Sequence, residues 1–394
     1  MNHDSSRYNV IIAGGGPAGS TAGYLLSRAG LRVLIIDKSA FPRGKLCGGL
    51  ITYKTVKLLE RVFGETATSL KEKNIINYES FCYEIFNRQT LIAQRTMKFP
   101  FMFVDRKRYD HYFLEKARDA GAGLVEGDGV MSLDVLKSAV TTVSGRKFTA
   151  DVIIGADGVN SRIRRSFPVD LFGRDDWTGN IAAALEIFPR RETIKKQINH
   201  TILYFGFIDW GYAWIFPDRE RLKIGICALK KRNKKKMLTA FRNFLSAIDF
   251  PDAQEEKIFS YVLPYGSFLP SPAFRNVMLL GDAAGFADPL LGEGIFYAQR
   301  SAELASQAIL EVMENRRGIK KTRDASADIY LKLLQKHICP ELVYAEKFRR
   351  VTFTYLNKFN YYPMKIMMGI LGNKLVETVH GIRSYNWMKK MGEH

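Results

Sequence analysis

Val10-Ile11-Ile12-Ala13-Gly14-Gly15-Gly16-Pro17-Ala18-Gly19 reads as a buried strand running straight into a glycine-rich turn. Val10 to Ile12 are β-branched with no polar alternation, the pattern of a parallel strand covered on both faces. A helix of Ala, Leu and Thr follows, from about Ala18 to Ala29. In the spacing Gly14-x-Gly16-x-x-Gly19, Gly14 can take a backbone shape closed to other residues. Gly16 lets a phosphate approach the main chain, and Gly19 lets helix and strand pack closely. The helix N-terminus adds unpaired N–H groups and a partial positive charge. Gly30 ends the helix, Leu31 to Ile36 form a second strand, and Asp37 stands at its end, 18 residues after Gly19. That distance is near the ~20 expected for a carboxylate that binds ribose hydroxyls. An acid there favours an unphosphorylated ribose, as in FAD or NAD.

A second glycine-rich stretch lies almost the whole chain away. Val277-Met278-Leu279-Leu280 reads as a buried strand, and Gly281-Asp282-Ala283-Ala284-Gly285 and Asp288-Pro289-Leu290-Leu291-Gly292-Glu293-Gly294-Ile295 follow it. Asp282 sits at a strand end, where ligands of α/β proteins bind, and can accept hydrogen bonds from ribityl hydroxyls. Gly294 and Ile295 open a helix whose N-terminus would stabilise negative charge on a reduced flavin ring. One stretch can hold a pyrophosphate and the other the ribityl and ring end. Together they point to a bound flavin dinucleotide, and so to a redox protein.

Two further motifs bear on this site. Gly155-Ala156-Asp157-Gly158 follows the apolar strand Val152-Ile153-Ile154. Asp157 can meet ribose or main-chain amides near the cofactor; the alternative is an ordinary strand-end turn. Arg106 begins a helix, where a cation opposes the helix dipole. It therefore needs another partner. The cofactor is one candidate, and surface exposure is the alternative.

The order of elements predicts an α/β fold (α+β, two-lobed). A Rossmann-like FAD-binding domain is expected from residues 1–75, 100–177 and 266–325. An inserted antiparallel-sheet substrate domain takes 76–99 and 178–265, and 326–394 form a helical C-terminus. Helices are expected over 106–121 and 236–248, with a long one starting near Gly294. In Gly211-Tyr212-Ala213-Trp214-Ile215-Phe216-Pro217, strand alternation puts Tyr212, Trp214 and Phe216 on one face. Such a stripe is more often core, but it can also wall a long apolar pocket.

The 394 residues carry 59 Lys plus Arg against 40 Asp plus Glu, a net charge of +19. Such a balance suits nucleic acid, acidic ligands or an anionic membrane surface. No basic helix with base-reading spacing and no zinc pattern is present, so nucleic acid is not expected. Basic clusters at Lys230–Lys236 and Arg316–Arg323 read as solvated loops or as a membrane-facing charge. The four cysteines are scattered without a CxxC pair, which argues against an iron–sulfur cluster or any metal site and fits a reducing compartment. Residues 8–27 carry no charge, but Gly14 to Pro17 break the apolar run, so neither a signal peptide nor a spanning helix is expected. A cytoplasmic protein, soluble or peripheral on the cytoplasmic membrane face, is the expectation. Segment 341–372 offers Phe348, Tyr355, Phe359, Tyr361, Met364, Met367 and Met368 beside Lys347, Arg349, Arg350, Lys358 and Lys365. This reads either as an interfacial helix or as a core-packing helix with a solvated face.

These motifs together resemble the geranylgeranyl reductase family, within the flavoprotein superfamily of p-hydroxybenzoate hydroxylase. The superfamily match rests on the GxGxxG turn, Arg106, Gly155-Ala156-Asp157-Gly158 and Gly281-Asp282. The narrower match rests on Lys45-Leu46-Cys47-Gly48-Gly49, Tyr212-x-Trp214-x-Phe216-Pro217 and Pro289 to Ile295. The resemblance implies FAD and reduction of isolated double bonds in prenyl chains on lipids, quinones or chlorophyll precursors. By motif position it implies FAD contacts at Ala18, Asp37, Gly48, Leu50, Arg106, Val130, Asp282, Gly294 and Ile295, with Cys47 close to the flavin. Cys47 is then a proton donor or positioning group. Tyr212 and Trp214 would line the prenyl tunnel and stabilise positive character on carbon. No second nucleotide fold is evident, so the electron donor is NAD(P)H docking transiently, or a ferredoxin.

Two rivals share the flavin. The first is a flavin monooxygenase or halogenase of this fold: Gly211-Tyr212-Ala213-Trp214-Ile215-Phe216-Pro217 is close to the halogenases' glycine-tryptophan-x-tryptophan-x-isoleucine-proline motif. Here Tyr212 replaces its first tryptophan and Phe216 its isoleucine, and no lysine stands in the halogenase setting. An electron-transfer flavoprotein passing electrons to quinone would need a cysteine-ligated cluster, which four dispersed cysteines do not readily build.

Overall fold

The computed structural model describes residues 7–168, 174–194, 197–250, 256–314, 324–356, 359 and 362–385. Among them, two eight-stranded sheets face each other across a cavity. The first is built around β1 (Arg7–Ala13), which pairs in parallel with β2 (Val33–Ile36) and β9 (Lys147–Gly155). Parallel pairing continues outward to β6 (Gly123–Val125) and β16 (Val277–Leu279). The short β15 (Ala273–Phe274) and the ribbon of β7 (Val130–Asp134) and β8 (Ala139–Thr142) add antiparallel edges. Every side chain of β2 is buried, as the uniformly apolar runs require. Helices α1 (Pro17–Arg28) and α4 (Arg106–Asp119) pack together over this sheet. The other helices of this part of the chain are α2 (Tyr53–Phe63), α3 (Ala67–Glu72), α5 (Arg162–Arg165), α6 (Arg174–Gly179) and α7 (Met237–Ala247); α3 and α7 contact the second sheet.

The second sheet runs β14-β10-β13-β12-β11-β4-β5-β3. Its strands are β3 (Leu50–Ile51), β4 (Ile76–Asn87), β5 (Thr90–Val104), β10 (Ile181–Ile187), β11 (Thr201–Phe205), β12 (Gly211–Pro217), β13 (Leu222–Leu229) and β14 (Phe259–Pro264). The alternation of 178–229 leads to the expected antiparallel ladder, with one departure: β11 pairs with β4 in parallel. The chain enters this sheet twice, and no hairpin links the two visits. Nothing local therefore sets the direction at the seam. β5 passes unbroken through residue 99, where a domain division was expected. Ala213, Ile215, Ile224 and Ile226 pack on α7 from one face, while Tyr212, Trp214 and Phe216 point to the other. Both faces are covered, so all seven residues of β12 are buried.

Beyond β16 come α8 (Ile295–Glu314), α9 (Ala325–His337), α10 (Cys339–Arg350), a π-helical turn (Val351–Leu356) and α11 (Tyr362–Val379). The segment 341–372 is thus not one interfacial helix. Met364 and Met368 are buried and Met367 packs beside them against the second sheet's cavity face. Arg349, read as part of a basic face, is fully buried; it donates to the Tyr265 carbonyl and to Asn180 Oδ1 at 2.9 Å. These oxygens and nearby Glu346 offset the buried charge at its two terminal nitrogens, while Nε is buried without a partner. Lys358, Tyr361, the side chain of Tyr355 and the Arg316–Arg323 cluster lie outside the described residues. No helix among the described residues is long and apolar enough to cross a membrane.

Candidate active site

The space between the sheets is a single cavity of about 820 Å³. One wall carries Gly14, Gly16, Ala18, Asp37, Val130, Asp157, Asp282, Gly294 and Ile295. The opposite wall carries Ala184, Glu186, Leu203, Tyr212, Trp214 and Phe216, and Cys47, Gly48, Leu50 and Arg106 lie between. Of the candidate catalytic and cofactor-binding residues, Gly19 alone does not line the space. It packs under the turn, where an added Cβ would stand 1.8 Å from the Gly14 carbonyl oxygen.

The first wall is made largely of main chain. Gly14 has φ +105°, and a Cβ there would lie 2.3 Å from the Ala156 carbonyl oxygen. Gly16 caps α1 without any side-chain hydrogen bond, and the first turn holds no acid. The free amides of that turn therefore face the cavity, with Lys38, Arg43, Arg162 and Arg165 around them. Asp37 spends both oxygens on main chain, accepting from Gly15 N at 2.7 Å and from Ser39 N at 2.8 Å. Asp157 takes the main-chain alternative as well: Oδ2 accepts from Arg162 N at 2.7 Å and from Ile163 N at 3.3 Å. Its Oδ1 is buried without a partner. Free helix amides, a basic surround and an orphaned carboxylate oxygen fit the pyrophosphate and hydroxyl groups of FAD.

Arg106 is buried, so the surface-exposed alternative is overturned. Its partner is Asp110, one helical turn on, met by two bonds of 2.8 Å, while Arg43 reaches the same carboxylate at 2.9 Å. Burial alone would raise the Asp110 carboxyl; the Arg106 guanidinium outweighs it and holds the group below its ordinary value. The pair gives the helix N-terminus a rigid cation beside Cys47, whose sulfur also helps to hold the Arg106 charge. Cys47 is half-buried and unbridged, with Gly49 N donating to its sulfur at 3.4 Å.

At the far end, Asp282 pairs with Lys45 at 3.2 Å. Burial opposes the Lys45 charge, but Asp282 and Tyr261 more than restore it. Glu293 pairs with Lys54 at 2.6 Å and accepts from Thr52 Oγ1 at 2.8 Å; burial still lifts its carboxyl above the usual range. The Tyr212 hydroxyl donates to the Leu291 carbonyl and Tyr265 Oη to the Leu290 carbonyl at 2.6 Å. Two tyrosines of the second lobe thus pin the loop that leads into α8. From the C-terminus, Tyr385 Oη donates to Asp288 Oδ2 at 3.2 Å, and His380 Nδ1 accepts from Tyr53 N at 3.3 Å.

The aromatic wall is the expected stripe: Tyr212 and Phe216 each lie 5.8 Å from Trp214, ring to ring. Sequence reasoning missed the acid among them. Glu186 accepts from Trp214 Nε1 at 3.3 Å, and burial pushes its carboxyl up to about 7 despite Lys223 and the indole donor. It also missed Lys45, Lys54 and Glu293 as ion-pair partners. Two of these stand in quoted motifs, and a charge inside an otherwise apolar, glycine-rich run was the available signal.

The profile of the FAD-binding domain family matches residues 7–321. The chain is 28% identical over 321 residues to a geranylgeranyl diphosphate reductase of Rhodobacter capsulatus, covering 78% of this chain and 76% of that protein. It is 25% identical over 358 residues to a 1H-pyrrole-2-carbonyl-[peptidyl-carrier protein] chlorinase of Pseudomonas fluorescens, covering 80% and 77%. Among solved structures, a geranylgeranyl bacteriochlorophyll reductase-like protein of Thermoplasma acidophilum superposes with TM-score 0.76 at 19% identity, over 95% of this chain and 92% of that one.

Proposed function

Since the chain belongs to the FAD-binding domain family and is an FAD-dependent oxidoreductase related to geranylgeranyl reductases, we propose that it saturates isolated C=C bonds of prenyl chains on lipid, quinone or chlorophyll-type molecules. The observation that carries this reading is the cavity itself. A wall of amides and cations faces a wall of aromatic side chains, with no partition between them. Bound and reduced, FAD supplies the hydride for such a reaction.

The chain's own residues then divide the work. The free amides of α1 and the surrounding cations hold the pyrophosphate, and Asp37 keeps the glycine turn in shape. Asp282, steadied by Lys45, accepts hydroxyl groups, and the pinned loop around Leu291 sets the start of α8. Gly48, Leu50, Val130 and Ile295 supply close, apolar contacts. Tyr212, Trp214 and Phe216 exclude water and hold an unactivated alkene in one pose. Cys47, beside Arg106, positions the alkene or moves a proton. Purified protein should take up FAD and, with a chemical reductant, add two hydrogens per double bond to a prenyl lipid, read by mass spectrometry. No mass shift on any prenyl substrate would defeat the reading. Turnover unchanged from the wild-type protein in both Cys47→Ala and Cys47→Ser would remove Cys47 from the chemistry. The reductant in the cell, NAD(P)H or a ferredoxin, is decided by which one bleaches the bound flavin.

A membrane surface is the natural source of such a substrate. Tyr362, Ile366 and Ile370 recur at four-residue steps on α11 and are exposed, beside Lys365 on a chain of net charge +19. Binding to anionic liposomes is expected at low salt; failure to co-float counts against it. The chlorinase relative keeps a halogenase or monooxygenase as the second reading. Oxygen-dependent NAD(P)H consumption with an aromatic substrate would favour it.

A further inference from the structure

Glu186 occupies the middle of the aromatic wall because of strand register. On β10 it lies opposite Gly225 of β13, and Gly225 lies opposite Trp214 of β12. The three form one cross-strand row on the cavity face. Gly225 has no side chain, so the indole lies flat across β13; a Cβ there would stand 2.2 Å from Trp214 Cζ2 and 2.5 Å from Cε2. Only through this gap does Trp214 Nε1 reach Glu186 Oε1, at 3.3 Å. Behind the row, Lys223 Nζ donates to Asp218 Oδ2 and to the Val104 carbonyl, each at 3.0 Å. Asp218 in turn accepts from Asn77 Nδ2 and is partly exposed. Lys223 acts on the Glu186 carboxyl through its charge, and its own hydrogen bonds lead away to Asp218 and the Val104 carbonyl.

We propose that Glu186 is the acid of this chamber, giving its proton to one carbon of the substrate's double bond. The inference rests on the prenyl-reductase reading above. In the step, the Glu186 O–H bond breaks and the alkene π pair forms the new C–H bond. The neighbouring carbon, left electron-poor, takes a hydride from the reduced flavin, which is thereby oxidised by two electrons. Glu186 is left as a carboxylate, held by Trp214 and the nearby Lys223 charge, and regains a proton from solvent once the product has left. Trp214 holds the acid in place and offers its π face to the electron-poor carbon.

Cys227 on β13, Tyr212 on β12, Tyr261 on β14 and Cys47 on the connecting turn line the chamber with Glu186. Lys45, Lys54, Arg106, Asp282, Asp288, Glu293 and Tyr385 line the same cavity from the other elements, and Lys223 on β13 acts on Glu186 through its charge. Burial pushes Cys227 up to about 12 and Tyr212 well above its ordinary value, so both keep their protons. The Glu186 carboxyl, raised to about 7, is protonated below that value and loses its proton above it. Reduction should therefore slow as pH rises through 7.

Glu186→Gln is the decisive variant, since it keeps the shape and the oxygen that accepts from Trp214. It is expected to retain FAD content and melting temperature but to lose roughly 100-fold in prenyl reduction. Glu186→Asp should keep a reduced rate and the same sense of pH dependence. A readout free of turnover is Trp214 emission, taken as the difference from Trp214→Phe. It should titrate near 7 in the wild-type protein and stay flat in Glu186→Gln. Glu186→Gln turning over within threefold of wild type, or Trp214 emission that ignores pH in the wild-type protein, would overturn the assignment. If the wild-type protein binds FAD yet saturates no prenyl double bond, the functional reading fails and takes this inference with it. An active wild type with an equally active Glu186→Gln removes Glu186 alone.

Discussion

The two walls of the cavity are built by different physics. The wall around Gly14, Gly16, Asp37 and Asp282 is main chain at strand ends and helix starts, shaped by runs of a few residues each. The wall around Glu186, Trp214 and Phe216 is side chains brought together by strand register, from β10, β12 and β13. One wall presents oriented amides that any pyrophosphate can use. The other presents a particular arrangement of rings around one acid. Cofactor binding should therefore fail abruptly when its turn is altered, whereas the chemistry on the substrate side should be tunable without loss of flavin.

The sharpest break between the walls is Gly14→Ala. Positive φ and a carbonyl oxygen 2.3 Å away leave no room for a Cβ, so the purified variant should be colourless and fail to bind FAD in a fluorescence titration. Next comes Asp110→Asn, which strands the buried Arg106 charge. Loss of about 3–5 kcal/mol in denaturant unfolding is expected for breaking such a pair. A third variant works the other wall alone. Gly225→Ala forces the Trp214 ring off β13 and away from Glu186. Overpacking of this kind costs about 1–3 kcal/mol; flavin content should survive while prenyl reduction falls and loses its pH dependence. Retained flavin in Gly14→Ala, or lost flavin in Gly225→Ala, would erase the distinction.

The smallest effect concerns the segment that closes the far end of the cavity. Burial, and Lys54 in the same sense, pull His380 down from 6.5 to about 4. The fold therefore favours the neutral ring. That contribution is complete above pH 6.5 and is lost as pH falls through 4. Protease sensitivity after α11 should rise over that window, and His380→Gln should flatten the response.

Much of the first wall was legible because each motif is contiguous. A strand, a turn and a helix start need only neighbours along the chain to be recognised. The Arg106–Asp110 pair was legible too, since residues four apart on a helix meet, yet the helix-dipole argument turned attention to the cofactor. Arg349 shows the opposite case. It stands in a basic run that reads as surface, and its hydrogen bonds inside the fold go to Asn180 and the Tyr265 carbonyl, far away in sequence. Glu186 is harder still. Strand alternation puts it on a face with Ala182 and Ala184, but whether that face meets water or a cavity is not a property of the strand.

From the amino-acid sequence alone came the dinucleotide turn, the split of the flavin-binding segments around a sheet-rich insert, and the aromatic stripe. These depend on residue type and spacing over short distances, where sterics and periodicity leave few options. Tertiary structure alone decided which charges pair in the interior, how β11 joins β4, and that an acid sits among the rings with Gly225 opening the way to it. Those outcomes depend on which surfaces meet, because burial and register arise between segments and belong to neither.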